Sequence, residues 1–286
     1  MLPPGAGPMR ILHISDLHLV PGQRRRIDWV RGLAAQTPDL VINTGDNMAH
    51  ARALPTALEA LGPLLEYPGA FVLGSNDYYA AVPKNPARYL RPRGTTKQPS
   101  APPLPGRELA AALSAHGWRD LTNRRDQVIL PGLRVEMVGV DDPHLDRDEL
   151  PPPAAPTRDR PAAGAPEPVA SSSDSDLPVL RLGVTHAPYT RVLSGMRADG
   201  ADLLLAGHTH GGQLCVPGYG ALVTNCDLDT ARAKGLHGWP GERPDRAGRN
   251  GSVWLHVSAG LGTSPYTPVR FACRPEATLL TLVAKT

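Results

Sequence analysis

Apolar residues occur along this chain in short runs separated by polar turns, and the runs have two periods. Residues 10–15 (Arg-Ile-Leu-His-Ile-Ser), 39–43 and 70–73 are brief apolar runs of the kind that form buried strands. Residues 27–35, closed by Pro38, and the Ala/Leu-rich residues 53–65 carry apolar positions at helical spacing. Strand, helix, strand, helix, strand in that order predicts an α/β arrangement with parallel strands. Further on, residues 107–116 read as a helix. Residues 127–130 and 133–140 read as a hairpin around Pro131-Gly132, 179–185 as a strand, 189–196 as a short helix and 203–206 as a strand. Beyond His210 the runs shorten. Residues 213–216, 221–224, 253–258, 269–272 and 278–283 predict a mostly antiparallel or mixed sheet.

Three segments break the pattern. The Pro- and Gly-rich residues 1–8 are expected to be flexible. Residues 78–105 form a long polar loop, of a length that usually marks function. Residues of about 150–177 hold seven prolines, a serine run and no aromatic side chain. Such a stretch buries too little apolar area to offset its ordering entropy, so it is expected to be a disordered insertion. The chemistry resumes after it, which predicts one domain over residues 1–286.

Composition narrows the class. The chain has 286 residues, 41% of them hydrophobic, enough for a sizeable core. The net charge of +3 gives no argument for nucleic acid and allows at most peripheral membrane contact, to which Arg24-Arg25-Arg26 could contribute. No apolar run is long enough for a transmembrane helix, and the N-terminus lacks the pattern of a signal peptide. Three scattered cysteines fit a reducing cytoplasm better than a disulfide scaffold.

The candidate chemistry lies in five clusters, each following an apolar strand. They are Asp16-Leu17-His18, Gly45-Asp46-Asn47, Gly74-Ser75-Asn76-Asp77, His186, and Gly207-His208-Thr209-His210. In α/β sheets ligands bind beyond the carboxyl ends of strands. Carboxylates and imidazoles without cysteine suit first-row divalent ions, and two ions side by side need a bridging carboxylate and several neutral imidazoles. The glycines before Asp46, Asn76 and His208 allow sharp turns and leave room for substrate. Each cluster alone would more often be a turn; all five in this order are hard to obtain by coincidence.

The order Asp-x-His, Gly-Asp, Gly-(Asn-His)-Asp, His, Gly-His-x-His resembles the calcineurin-like metallophosphoesterases, from about Arg10 to the C-terminus apart from the insertion. Gly207 to Gln213 and Gly260-Leu261-Gly262-Thr263-Ser264 resemble a bacterial subgroup that includes phosphodiesterases of the lipid-precursor pyrophosphatase type. The resemblance implies a four-layer sandwich of two mixed β-sheets flanked by helices, with a dinuclear site at strand C-termini. It implies Asp16, His18, Asp46 and His210 on the first metal, Asp46 as the bridge, and Asn76, His186 and His208 on the second. The ions would be Mn²⁺, Fe²⁺ or Zn²⁺, with Mn²⁺ favoured.

The third cluster departs from the family's Gly-Asn-His-Asp. Aligned without a gap, Ser75 takes the place of the metal-binding Asn and Asn76 that of the histidine acid. With a one-residue shift, Asn76 reaches the metal and Asp77 replaces the histidine. A carboxamide oxygen is a better ligand than a neutral hydroxyl, which favours Asn76. The implied reaction is hydrolysis of a phosphodiester or pyrophosphate by a hydroxide held between the ions. Asp46, Asn76 and Asp77 are the catalytic candidates, and Asp77, His50, His144 or water the possible leaving-group acids. Asp141-Asp142-Pro143-His144 reads more readily as a turn than as part of the site. Tyr78, Tyr79, Lys84, Asn85 and Arg88 could meet phosphate or the distal part of a substrate. The rival reading, favoured only by the altered third cluster, is a binding protein that keeps the fold with little or no catalysis.

Overall fold

In the computed structural model the described residues are 2–3, 6–82, 101–153, 176–247 and 251–284. The expected disorder of the 150–177 insertion and the roles of Lys84, Asn85 and Arg88 therefore fall mostly or wholly outside the described residues.

Two mixed sheets lie face to face. The first is built from β1 (Met9–Ile14), β2 (Leu40–Asn43), β3 (Gly69–Phe71), β4 (Arg119–Asp120) and β13 (Thr278–Leu282), in the order β13-β1-β2-β3-β4. β1 to β4 run parallel and β13 closes the edge antiparallel. The second is built from β5 (Arg124–Leu130), β6 (Leu133–Gly139), β7 (Val179–Thr185), β8 (Leu203–Ala206), β11 (Gly235–Trp239) and β12 (Val253–Val257), in the order β11-β12-β8-β7-β6-β5. Its four inner strands are parallel and its two edges antiparallel. β9 (Cys215–Val216) and β10 (Gly220–Ala221) make a separate small hairpin.

The period of two sorts the side chains. Ile11, Ile42, Ala70 and Val72 of the first sheet meet Val135, Leu182, Val184 and Leu205 of the second in one buried layer. A single helical turn, α3 (Ser75–Tyr78), follows β3 and carries the third cluster. The opposite face of the first sheet, with Leu12, Ile14, Val41 and Phe71, is covered by α1 (Arg24–Gly32), α2 (Leu54–Leu61) and α4 (Gly106–Ala115). Val138, Leu204, Leu255 and Val257 of the second sheet pack under α5 (Thr190–Ala198). Helices, sheet, sheet and helix are the four expected layers. Strands buried on both faces explain why the runs read as continuous rather than alternating.

Several expectations change. The helix over 53–65 ends at Leu61 and passes into a 3-10 turn, Gly62–Glu66, because Pro63 has no N–H to continue the α ladder. Residues 269–272 do not form a strand; Phe271 makes an isolated bridge to Leu214. The edge strands β4 and β11 went unpredicted, since Arg-Asp and Gly-Leu-His-Gly-Trp carry no period-two apolar signal. Beyond His210 the pairing is mixed as expected: β9 with β10, β11 with β12 and β13 with β1 are antiparallel, and β12 runs parallel to β8.

Candidate metal centre

The loops leaving β1 and β2 are zipped together by backbone hydrogen bonds. Asp16 N donates to Gly45 O, His18 N to Asp46 O and Leu19 N to Asn47 O, at 2.9, 3.0 and 2.9 Å. Across the sandwich, His208 N donates to Asp16 Oδ2 (3.0 Å), and within the second sheet Gly207 N donates to His186 O (2.8 Å), joining the ends of β8 and β7. Asp16, His18, Asp46, His208 and His210 all have positive φ, between 43° and 68°. A left-handed non-glycine residue costs roughly 1–3 kcal/mol, so five together mark backbone bent to bring side chains inward. Two glycines make room. Gly45 has φ +92°, and a Cβ there would lie 2.5 Å from Gly74 N. A Cβ on Gly74 would overlap Asp46 Oδ1 and lie 2.7 Å from the His186 ring.

The donor atoms converge in two overlapping groups, Asp16 with His18 and His210, and Asp16 with Asp46 and His186, each within 4.8 Å. Asp46 divides its oxygens: Oδ2 lies 3.5 Å from His18 Nε2 and Oδ1 lies 3.4 Å from His186 Nε2. His18 Nε2 and His210 Nε2 are 3.2 Å apart, and His208 Nδ1 is 3.4 Å from His186 Nε2. Asn76 presents its amide Nδ2 to Asp46 Oδ2 at 2.9 Å, and its backbone N–H to Asp46 Oδ1 at 2.7 Å. Turning the carboxamide over brings its oxygen to the same place. Ser75 Oγ is 3.2 Å from that amide nitrogen.

The far sides of the rings fix which nitrogen is free. His186 Nδ1 donates to Thr44 O (2.7 Å), leaving Nε2 toward Asp46. His208 Nε2 donates to Asn225 O (3.2 Å), leaving Nδ1 inward. His210 differs, because its Nδ1 faces the donor-only guanidinium of Arg270 at 3.2 Å. Burial lowers His18 to about 4. Burial also lowers His208, helped by His144, and lowers His210. For His186 burial again acts downward, but Asp46, Asp142 and Asp16 outweigh it and hold the ring well above its ordinary value. Asp46 is held well below the carboxylate range, since His186, His18 and the Asn76 N–H outweigh the upward effect of burial. Three of the four rings are thus neutral, the form in which imidazole coordinates metal.

Residues 9–212 match the family described as Calcineurin-like phosphoesterase. The chain belongs to that family. Phosphodiesterase YaeI of Escherichia coli (strain K12) is 30% identical over 97% of this chain and 83% of its own length. The uncharacterized protein YpbG of Bacillus subtilis (strain 168) is 25% identical over 97% of this chain and 82% of its own. The solved structure of TT1561 from Thermus thermophilus is 13% identical, covers 88% of this chain and 89% of that one, and superimposes with a TM-score of 0.43.

As a calcineurin-like phosphoesterase the chain is a metal-dependent hydrolase acting on phosphate esters, and the site fits divalent ions on its own terms. Asp16 Oδ1 is buried at the centre of the cluster with no hydrogen-bond partner. A bare carboxylate oxygen away from water costs about 1–3 kcal/mol or more, which a cation among these donors would offset.

The remaining candidates separate. Asp77 is fully buried, and its two oxygens accept from Gly74 N, Asp46 N and Asn47 N at 3.0, 2.9 and 2.9 Å. Burial, with Asp46 beside it, pushes its carboxyl up to about 7, yet it lies behind the loop and not in the pocket. His50 is exposed and accepts from Arg52 N. His144 lines the pocket with His18, His208 and His210; its ring centre is 4.7 Å from that of His208, and its Nδ1 is 3.2 Å from Tyr189 Oη. Tyr79 also lines the pocket, whereas the Tyr78 hydroxyl is turned to Asp141 (2.8 Å) under Arg147. Arg24 pairs with Glu59, and Arg26 donates to Leu17 O and His18 O beneath the first cluster.

Residues 141–144 are therefore both a turn and a part of the site. Asp142 is fully buried near His186, and its carboxyl is pushed up to about 7 by burial and by Asp46. Its signal in the sequence was the one shared by the other clusters, a position just past a strand.

Proposed function

We propose that this enzyme hydrolyses a phosphodiester or pyrophosphate bond at two divalent ions drawn from Mn²⁺, Fe²⁺ and Zn²⁺, with Mn²⁺ the first to test, since carboxylate and imidazole donors accept all three. Asp16, His18, Asp46 and His210 would hold one ion, and Asp46, Asn76, His186 and His208 would hold the other. The observation that carries this reading is Asp46, whose oxygens are split between His18 and His186. When bound, the ions polarise a phosphoryl oxygen and lower the pKa of water from 15.7 to about 7.

The chain's own residues supply the rest. Thr44 O and Asn225 O hold His186 and His208 in the tautomers that leave inward lone pairs. Asp77, through Asp46 N and Asn47 N, fixes the loop that presents the bridge. His144 is the pocket imidazole left over from the ligand set, and it donates the proton to the leaving oxygen. A diester is supported over a monoester by charge. Among the described residues the pocket lining contains no lysine or arginine, so it suits the singly charged ester. The similarity to a protein named phosphodiesterase points the same way. A cytoplasmic location suits Cys215, Cys226 and Cys273, which form no disulfide among the described residues.

The test is turnover of a chromogenic phosphodiester with Mn²⁺ by the purified chain, alongside the matching monoester. Diester turnover well above monoester turnover, lost in Asp46→Asn with a fall in bound metal, is expected. Wild-type rates in Asp46→Asn would remove the bridge. A chain that binds no metal and turns over no ester would instead be the catalytically inert binding protein that the altered residues 75 and 76 allow.

A further inference from the structure

Two histidines outside the metal centre, His13 of β1 and His256 of β12, meet in the layer between the sheets. Strand alternation puts His13 on the face of Ile11 and His256 on that of Trp254, so both rings point into an otherwise apolar layer. Both are buried. Their Nδ1 atoms lie 2.8 Å apart, and His13 Nε2 lies 3.0 Å from Thr44 Oγ1. Apolar side chains of the same shape would join the sheets there with no buried polar atoms to satisfy. What a polar pair adds is direction.

The proton positions follow from the partners. Burial lowers both rings below their ordinary value, so both are neutral and each carries one N–H. Among the described residues the buried Thr44 hydroxyl has no hydrogen-bond partner other than His13 Nε2. Its O–H therefore donates to His13. That places the His13 proton on Nδ1 and directs it to His256 Nδ1. The donors run one way, from Thr44 to His13 to His256, and each facing atom is satisfied. A buried network satisfied in this way rigidifies what it holds. What it holds is Thr44, whose N donates to Ile14 O (3.1 Å) and whose O accepts from His186 Nδ1 (2.7 Å). All the polar atoms of Thr44 are thus engaged. Its carbonyl aims the His186 ring, and Asp46 follows two residues later.

We propose that His13 is a positioning residue for the ion on His186: seated against His256, it fixes Thr44 and, through the Thr44 carbonyl, the His186 ring. This role rests on the reading of His186 as a metal ligand given above.

The experiment is calorimetric titration of the metal-free full chain with Mn²⁺, with a thermal melt of each metal-free preparation. An asparagine amide falls where the histidine Nδ1 stood, and a glutamine amide where Nε2 stood. His13→Gln keeps the acceptor for Thr44 and should bind both ions as wild type does. His13→Asn keeps only the tie to His256. It should weaken one ion about tenfold and leave the other unchanged. Thr44→Val should weaken the same ion by a similar factor. The double variant Thr44→Val, His13→Asn should bind no more weakly than either single variant, because both remove one hydrogen bond. A contact that only joins the sheets predicts the reverse: His13→Asn intact, and His13→Gln melting lower. That order, an equal loss of both ions, or additive losses in the double variant would each overturn the positioning role. If the His13 variants do not fold, Thr44→Val decides alone, and unchanged ion binding in it overturns the role. Wild type that binds two ions while every variant matches it removes the positioning role alone. Wild type that binds no ion removes the metal reading beneath it.

Discussion

Replacing Asp77 by asparagine separates an acid from an anchor. A carboxyl pushed up to about 7 has the pKa expected of a general acid at neutral pH. Its surroundings give it a different task. Oδ2 accepts from Gly74 N and Asp46 N, Oδ1 accepts from Asn47 N, and nothing of the side chain reaches solvent. An asparagine can keep the bonds at Oδ2, which include a third from Asn47 Nδ2 at 3.3 Å, with its own oxygen. Its NH₂ must then face Asn47 N–H, so one buried N–H loses its partner and meets another donor. That costs about 2 kcal/mol, within the 1–3 kcal/mol range for a buried unsatisfied group. At 2–4 °C per kcal/mol for a chain somewhat smaller than this one, the melting temperature should fall by roughly 4–8 °C. Because Asp46 N is one of the donors, the metal bridge loosens too. Activity should therefore fall for every substrate by a similar factor, with weaker metal retention.

The assay is a pair of diesters, one with an activated aryl leaving group and one with an alkyl leaving group, read with thermal melts of the same preparation. An anchor lowers both rates together and lowers the melting temperature. An acid lowers only the alkyl rate and leaves the melt unchanged. A stable Asp77→Asn protein that is slow on the alkyl ester alone would refute the anchor. His144→Ala should show that leaving-group-selective pattern if His144 supplies the proton.

Three further outcomes follow from the same geometry. Of Asn76→Ala and Ser75→Ala, the former should lose more bound metal by elemental analysis; a larger loss in Ser75→Ala would move the ligand one residue back. His13 and His256 touch through their Nδ1 atoms at 2.8 Å between the sheets, and burial lowers His256 to about 4 and His13 well below its ordinary value. Both rings are neutral in the fold and protonate near 6.5 when unfolded. Their stability contribution is present above pH 6.5 and is lost as pH falls toward 4, by about 3 kcal/mol for His256 alone; a denaturation midpoint flat over that window would contradict it. Arg270→Gln replaces the donor facing His210 Nδ1 by a group that can accept and removes a nearby positive charge. The first ion should then bind about tenfold or more tighter by calorimetry, and unchanged or weaker binding would show that Arg270 does not hold the ring in the wrong tautomer.

Much of the centre was legible because its residues follow strands. Asp16, His18, Asp46, His186, His208 and His210 each stand just past a β run, and a parallel sheet delivers all such positions to one edge. What was hidden depends on partners distant in sequence or on backbone atoms. Thr44 O and Asn225 O orient two rings, and a carbonyl has no residue signature. The left-handed φ angles of Asp16, His18, Asp46, His208 and His210 are fixed by cross-loop hydrogen bonds; Asp and His enter that region more often than most residues, but still only a small fraction of the time, so their type alone does not mark these positions. The same physics explains residues 141–144. Following a strand, they read more readily as a turn than as part of the site, and a turn they are, with the Asp142 side chain accepting from His144 N at 3.0 Å. Turn chemistry and site chemistry use the same residue types at a strand's end, because both need short polar side chains that satisfy backbone as it leaves the sheet. Only the burial of Asp142 beside His186 tells them apart. A strand-end Asp-Asp-Pro-His in such a fold should therefore be weighed by whether its strand lies in the parallel block. β6 pairs parallel with β7, which places residues 141–144 at the metal edge rather than at the far end of the sandwich.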